Sequence, residues 1–274
     1  RTRTAEAQAN SMTDLAPERP RAAGTAYPVL FGASFCHLLN DMIQSLFIAT
    51  YPILKGNFDL SFSRIGLLTL TYQLTASLLQ PLVGLYTDRR PLPWSLPLAM
   101  ACSVAGLLLL SAATSYAMLL MSAALLGIGS SIFHPESSRL ARLASGGSHG
   151  LAQSIFQVGG NAGASLGPLL VAFFVLPRGQ ASLAWFALAG LGGMVVLTAL
   201  SQWYRRNGHA RPKPRGTAAP ATDLSRREVA RALAVLFSLM MSKWVYMASF
   251  SSYYVFYLMR HFGLPARDAQ IVLF

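Results

Sequence analysis

Near the start of the chain, polar residues interrupt an apolar run at helical spacing. In His37-Leu38-Leu39-Asn40-Asp41 the imidazole and the carboxyl stand at i and i+4 on one helix face, with Asn40 beside them and Gln44 nearby. A histidine next to an aspartate can hold a proton and hand it on. A second set, His134-Pro135-Glu136 with Arg139, lies towards the end of another apolar run, and Lys243 is the single charge inside a third. Ionisable side chains within membrane-depth segments are costly, and by default they mark ion or substrate paths. Plainer readings stay open: a structural hydrogen bond for Asp41, and an interfacial helix end with snorkelling side chains for the His134 set. Gly163-Ala164-Ser165-Leu166-Gly167 is formally a G-x-S-x-G sequence. A nucleophile elbow needs a strand-to-helix turn in an α/β sheet, which an all-helical context does not offer. The enzyme reading that is left is an intramembrane serine hydrolase using Ser165 with His134 or His37. No metal-ligand spacing such as H-E-x-x-H occurs, so neither a metal nor another cofactor is expected.

Each set sits in a charge-poor run long enough to be a membrane helix, for which about 20 apolar residues suffice. Composition agrees: 53% of residues are hydrophobic and 12% charged, and mean hydropathy is +0.44. An ordinary soluble domain carries about 25% charged residues. These figures exclude a disordered chain and argue against a soluble enzyme. Cys36 and Cys102, the two cysteines, lie in apolar stretches, which excludes a disulfide scaffold. Spans are expected at 28–54, 65–87, 151–176, 180–203 and 232–259. The uncharged stretch 91–133 is long enough for two more, turning near Thr114-Ser115-Tyr116. Residues 266–274 read as the opening of an eighth helix. The runs are too long and too uniform for barrel strands.

Lys and Arg give the orientation. With the N-terminus inside, Arg1, Arg3, Arg19, Arg21, Arg89, Arg90, Arg139, Arg142 and the eight Lys and Arg between Arg205 and Arg231 all fall inside. Lys55, Arg64, Arg178, Arg260 and Arg267 fall outside. The net charge of +12 therefore reads as topology, not as a nucleic-acid surface. The expected organisation is a disordered cytoplasmic tail (1–26), a six-helix transmembrane bundle (27–203), a basic cytoplasmic linker (204–231) and the start of a second bundle (232–274). Six helices, a long inside loop and a restart make this the first half of a twelve-helix carrier, with most of the second half absent. Its partners are then the lipid bilayer, a small-molecule substrate and the remaining helices of the same carrier.

Two further motifs sharpen this. Gly84-Leu85-Tyr86-Thr87-Asp88-Arg89-Arg90 occupies the inside turn after the second span, and resembles the loop signature of the major facilitator superfamily; Pro91-Leu92-Pro93 replaces its usual ending. In the fifth span Gly159, Gly163 and Gly167 share one helix face, which permits close backbone packing. With Pro168 they resemble the motif of drug–proton antiporters within the superfamily. Together with Ser34–Asp41, Ser130–Arg139 and Gln157–Asn161, these segments resemble the fosmidomycin-resistance branch from residue 27 to residue 274.

That resemblance implies an all-α bundle in a bacterial inner membrane. It also implies proton-driven export, by alternating access, of a small and sometimes anionic compound such as a phosphonate antibiotic. In that fold the first, fourth and seventh helices line the central cavity, and all the intramembrane charge found here falls on those three. Asp41 is expected to exchange its proton for substrate, with His37 as relay and the proton as the coupling ion. His37, Asn40, Asp41, Gln44, His134, Glu136, Arg139 and Lys243 are expected around the substrate. Gly84, Asp88, Arg89, Gly159, Gly163, Gly167 and Pro168 are expected to serve packing and gating. A truncated, inactive carrier fragment is the alternative.

Overall fold

The computed structural model describes residues 24–90, 92–207 and 225–274. Most of the expected tail 1–26 and of the linker 204–231 lies outside those residues. Among the described residues every element is helical: α1 (Tyr27–Ala49), α2 (Tyr51–Asn57), α3 (Phe62–Arg89), α4 (Ser95–Ser111), α5 (Tyr116–Ala144), α6 (His149–Leu170), α7 (Trp185–Asn207), α8 (Arg226–His261) and α9 (Ala266–Leu273). α6 runs on through a π-helical turn, Val171–Val175, and a last turn, Leu176–Arg178.

Local chemistry sets the ends. Pro28 and Pro52 occupy first turns, where a missing N–H is harmless. Pro52 also cannot donate back to Ile48, so the run 28–54 breaks at Thr50 into α1 and α2 instead of continuing as one helix. Ser61 and Ser115 cap α3 and α5 by accepting from Arg64 N (3.2 Å) and Met118 N (3.4 Å). Ser225 and Glu228 form a reciprocal capping box that starts α8 at Arg226. Helix thus occupies both margins of the stretch expected as linker.

Among the described residues four segments are long and apolar enough to cross a membrane: α5, α6 with its extension, α7 with its leading 3-10 turn, and α8. α4 is apolar but has only 17 residues. α1 and α3, at 23 and 28 residues, have the length for a core about 30 Å thick. They carry more polar side chains, several of which turn into the bundle rather than out to lipid.

α1, α3, α4, α5, α6 and α7 pack around one core, and the α1–α6, α4–α5 and α3–α5 seams are the most extensive. Glycines make them close. A Cβ at Gly159, Gly163 or Gly167 would run into Ser34, the Leu38 backbone or Ser45 of α1. The expected glycine face therefore meets α1. The same closeness lets α1 hydroxyls reach α6 carbonyls: Ser34 Oγ donates to Ile155 O (2.7 Å) and Ser45 Oγ to Ala164 O (2.5 Å). Ala164 is four residues before Pro168, so Ser45 supplies the donor that proline withholds. At Gly84, by contrast, a Cβ would meet nothing within 4 Å, so the close helix approach expected there is not made to any described residue.

Candidate functional site

The α1–α6 seam places the first functional residues. Gly160 leaves room for His37 and Asp41, since a Cβ there would strike both. His37 is buried, its ring stacked on Phe156 at 4.0 Å between centroids. Its Nδ1 lies 2.8 Å from Phe156 O; a carbonyl can only accept, so Nδ1 carries the hydrogen. Nε2 then faces Asp41 Oδ2 at 3.1 Å. A neutral ring in that tautomer turns the Nε2 lone pair towards the carboxylate, a contact that a shared cation between the two makes favourable. His134 of α5 approaches the other carboxylate oxygen, Nε2 to Oδ1, at 3.7 Å, and Asn40 Nδ2 donates to that oxygen at 3.1 Å. One ligand atom from each of His37, Asp41 and His134 lies within 4.8 Å of the others. Among the described residues this is the group shaped to share a single cation, whether a proton or a metal ion.

Asp41 also opens onto a cavity of about 260 Å³ bordered by α1, α3, α6, α8 and α9, and it is the one charged side chain lining it. Gln44, Tyr72, Ser165 and Ser251 add polar groups to the wall. Gln44 Oε1 accepts from Tyr72 Oη and from Ser130 Oγ (3.2 Å). Asn40 is buried just behind, with Ser103 Oγ donating to its Oδ1 at 3.3 Å.

The remaining expected residues lie elsewhere. Arg139 bridges two carboxylates, donating to Glu136 Oε1 at 2.7 Å and to Asp88 at the end of α3. Glu136 is fully buried, whereas the Asp88 side chain is 68% exposed. Asp88 of the loop signature thus meets an arginine of the same bundle, and Arg139 and Glu136 stand apart from the cavity wall. Arg89 is exposed. Lys243 is exposed on α8 and makes no ion pair with Asp41. Ser165 lies mid-helix and donates to Ala162 O at 3.0 Å, with neither histidine hydrogen-bonded to it.

Tyr72, Ser130 and Ser251 escaped the sequence reading. Single hydroxyls inside apolar runs are common, and nothing in their spacing separates these three from the rest.

Comparison with known proteins gives the family and the fold. Residues 33–274 match the family described as the Major Facilitator Superfamily. The chain is 54% identical over 252 residues to the fosmidomycin resistance protein of Escherichia coli (strain K12), a match covering 92% of this chain. It is 35% identical over 252 residues to an uncharacterised MFS-type transporter, YfnC, of Bacillus subtilis (strain 168), over 91% of this chain. The chain spans 62% of the length of each of these two relatives. Among solved structures, a bacterial homologue of the human lysosomal transporter Spinster, inward-facing and occupied, superposes with a TM-score of 0.65 at 19% identity, over 90% of this chain and 57% of that one. The peptide transporter POT in complex with sulfate gives 0.54 at 19% identity, over 81% and 46%. At such identities the likeness is one of fold.

Proposed function

The chain belongs to the Major Facilitator Superfamily, and from that premise we propose that it forms part of a proton-driven exporter of a small compound. The observation that carries this is the placement of Asp41. It is the one charge on the cavity wall, and it shares a proton-sized gap with His37 while His134 stands on its other side. A carrier that couples two movements needs one group that either ligand can occupy but not both. Asp41 meets that need: protonated, it is neutral and paired to the histidines; deprotonated, it is free to bind substrate. Two bundles rocking about this midplane site would then expose it alternately to each side. Inward proton movement supplies about 2.3 kcal/mol per charge per 100 mV of membrane potential.

The substrate we assign is a phosphonate-like antibiotic of the fosmidomycin kind, the compound named in the 54% identical relative. The membrane we assign is the bacterial inner membrane, with the N-terminus cytoplasmic by the distribution of Lys and Arg. We read the chain as a carrier rather than an enzyme. The exposed face of α8 belongs against lipid and the further helices of the same carrier.

Inverted membrane vesicles test the coupling. Asp41→Asn is expected to abolish fosmidomycin accumulation driven by a proton gradient while downhill exchange survives. Undiminished accumulation by that variant would falsify the assignment.

A further inference from the structure

Two histidines from different helices aim the same ring atom at one carboxylate. His37 Nε2 lies 3.1 Å from Asp41 Oδ2, and His134 Nε2 lies 3.7 Å from Asp41 Oδ1. An ion pair would need only one of them. At 3.7 Å the His134 ring is beyond hydrogen-bond reach of Asp41, and it bonds to no other described residue. His37, by contrast, is held as metal ligands are held. Its Nδ1 donates to Phe156 O at 2.8 Å, which leaves Nε2 as the lone-pair nitrogen of the neutral ring. A ligating histidine characteristically gives its other N–H to such a carbonyl. Turning the ring over would put carbons against both Phe156 O and Asp41, so the two contacts fix which nitrogen is which. Phe156 and Phe133 flank the ring, with centroids 4.0 and 5.9 Å away. Asp41 is braced in turn: Asn40 Nδ2 donates to its Oδ1, and Ser103 Oγ to Asn40 Oδ1.

We propose that His37, Asp41 and His134 form a binding site for a divalent transition-metal ion of the zinc type, with a fourth position open to the cavity. Two imidazole nitrogens and one carboxylate suit zinc, copper or nickel, whereas magnesium and calcium take oxygen ligands. Ligands about 2.0–2.1 Å from a tetrahedral zinc ion stand roughly 3.3 Å from one another. The three ligand atoms here lie within 4.8 Å of one another, so small side-chain rotations, mostly of His134, bring them to that spacing. The ion also has a way in. Asp41 lines the cavity, and the side chains of Asp41 and His134 are 18% and 29% exposed. Ligand set, bracing partners and entry path are the features by which such a site is judged. No sequence spacing announces it, because His134 comes from α5 and the other two ligands from α1. The site stands on geometry and donor chemistry, and so holds whether or not the chain exports anything.

The probes are Zn²⁺, read by calorimetry, and Co²⁺, read by its visible d–d absorption, added to the purified carrier without a histidine tag. Wild type is expected to bind one zinc ion saturably and to show cobalt bands that zinc abolishes. Its melting temperature should rise with zinc concentration, since an ion that binds only the folded state stabilises it. Mg²⁺ at the same concentration should do neither. His134→Gln is expected to raise the zinc Kd at least thirtyfold and to remove the zinc-dependent rise in melting temperature. The ring makes no hydrogen bond to a described residue, so the variant should fold. If it does not reach the membrane, Asp41→Asn decides by the same two readings. A carrier with both His149→Gln and His261→Gln should bind zinc as wild type does, which separates this site from other histidines. Wild type that shows neither calorimetric binding nor cobalt bands overturns the proposal. So does a His134→Gln or Asp41→Asn carrier whose zinc Kd stays within twofold of wild type, or a His149→Gln, His261→Gln carrier that loses the ion.

Discussion

At the residue scale, the arrangement around Asp41 makes substitutions separable. In Asp41→Asn the amide can donate to His37 Nε2 while His37 Nδ1 keeps its bond to Phe156 O, so a fixed N–H takes the place of the exchangeable proton proposed above. The fold should lose no more than about 1 kcal/mol, whereas proton exchange becomes impossible. A melting temperature near wild type beside lost coupling is the expected pair of readings. The Asp88–Arg139–Glu136 group predicts an asymmetry instead. Arg139→Gln strands the fully buried Glu136, and breaking a buried pair by removing one partner costs about 3–5 kcal/mol. Asp88→Asn removes a partner that is mostly exposed and leaves the inner pair intact, so about 1 kcal/mol or less is expected. Thermal unfolding of the two detergent-solubilised variants should rank them in that order, and equal losses would contradict the burial argument.

At the element scale, the glycine face of α6 is what lets α1 come close enough to hold the site. Gly163→Leu would drive a branched side chain into the Leu38 backbone, where no rotamer change can relieve it. Overpacking typically costs about 1–3 kcal/mol, and more against backbone. Separating the helices would also pull Ser34, His37 and Ser45 off their carbonyl partners. Gly163→Leu is therefore expected to give little folded protein in membrane extracts. Gly84→Leu, at a position with open space, should express normally. A well-folded Gly163→Leu carrier would mean that the seam is looser than its geometry implies. The proline of the same helix makes the complementary point. Pro168 is accommodated because Ser45 bonds the carbonyl it frees, a neighbour supplied by tertiary packing.

At the scale of the whole molecule, the positive-inside pattern predicts sidedness. A reporter inserted between residues 208 and 224 should face the cytoplasm and one after Arg178 the outside; the reverse result would overturn the topology. How this multi-pass fold could be read from the chain, and where that reading stopped, follows from the range of each effect. Spans, their ends and their turns depend on local hydropathy, proline and capping residues, and these are written in sequence order. Hence the break at 112–115 between α4 and α5 was foreseen, as was the role of Gly159, Gly163 and Gly167 as a contact face. His37 and Asp41 were likewise paired by the four-residue helical repeat alone. What joins helices distant in the chain carries no such mark. That His134 closes on Asp41, that Arg139 turns to Asp88 and Glu136 rather than to the cavity, and that Lys243 stays apart from Asp41 all depend on how helices rotate against one another. Tyr72 and Ser130 meet on Gln44 for the same reason. Helix rotation is decided by steric fit between side chains across each seam, summed over the bundle, so only the tertiary structure could place these groups together.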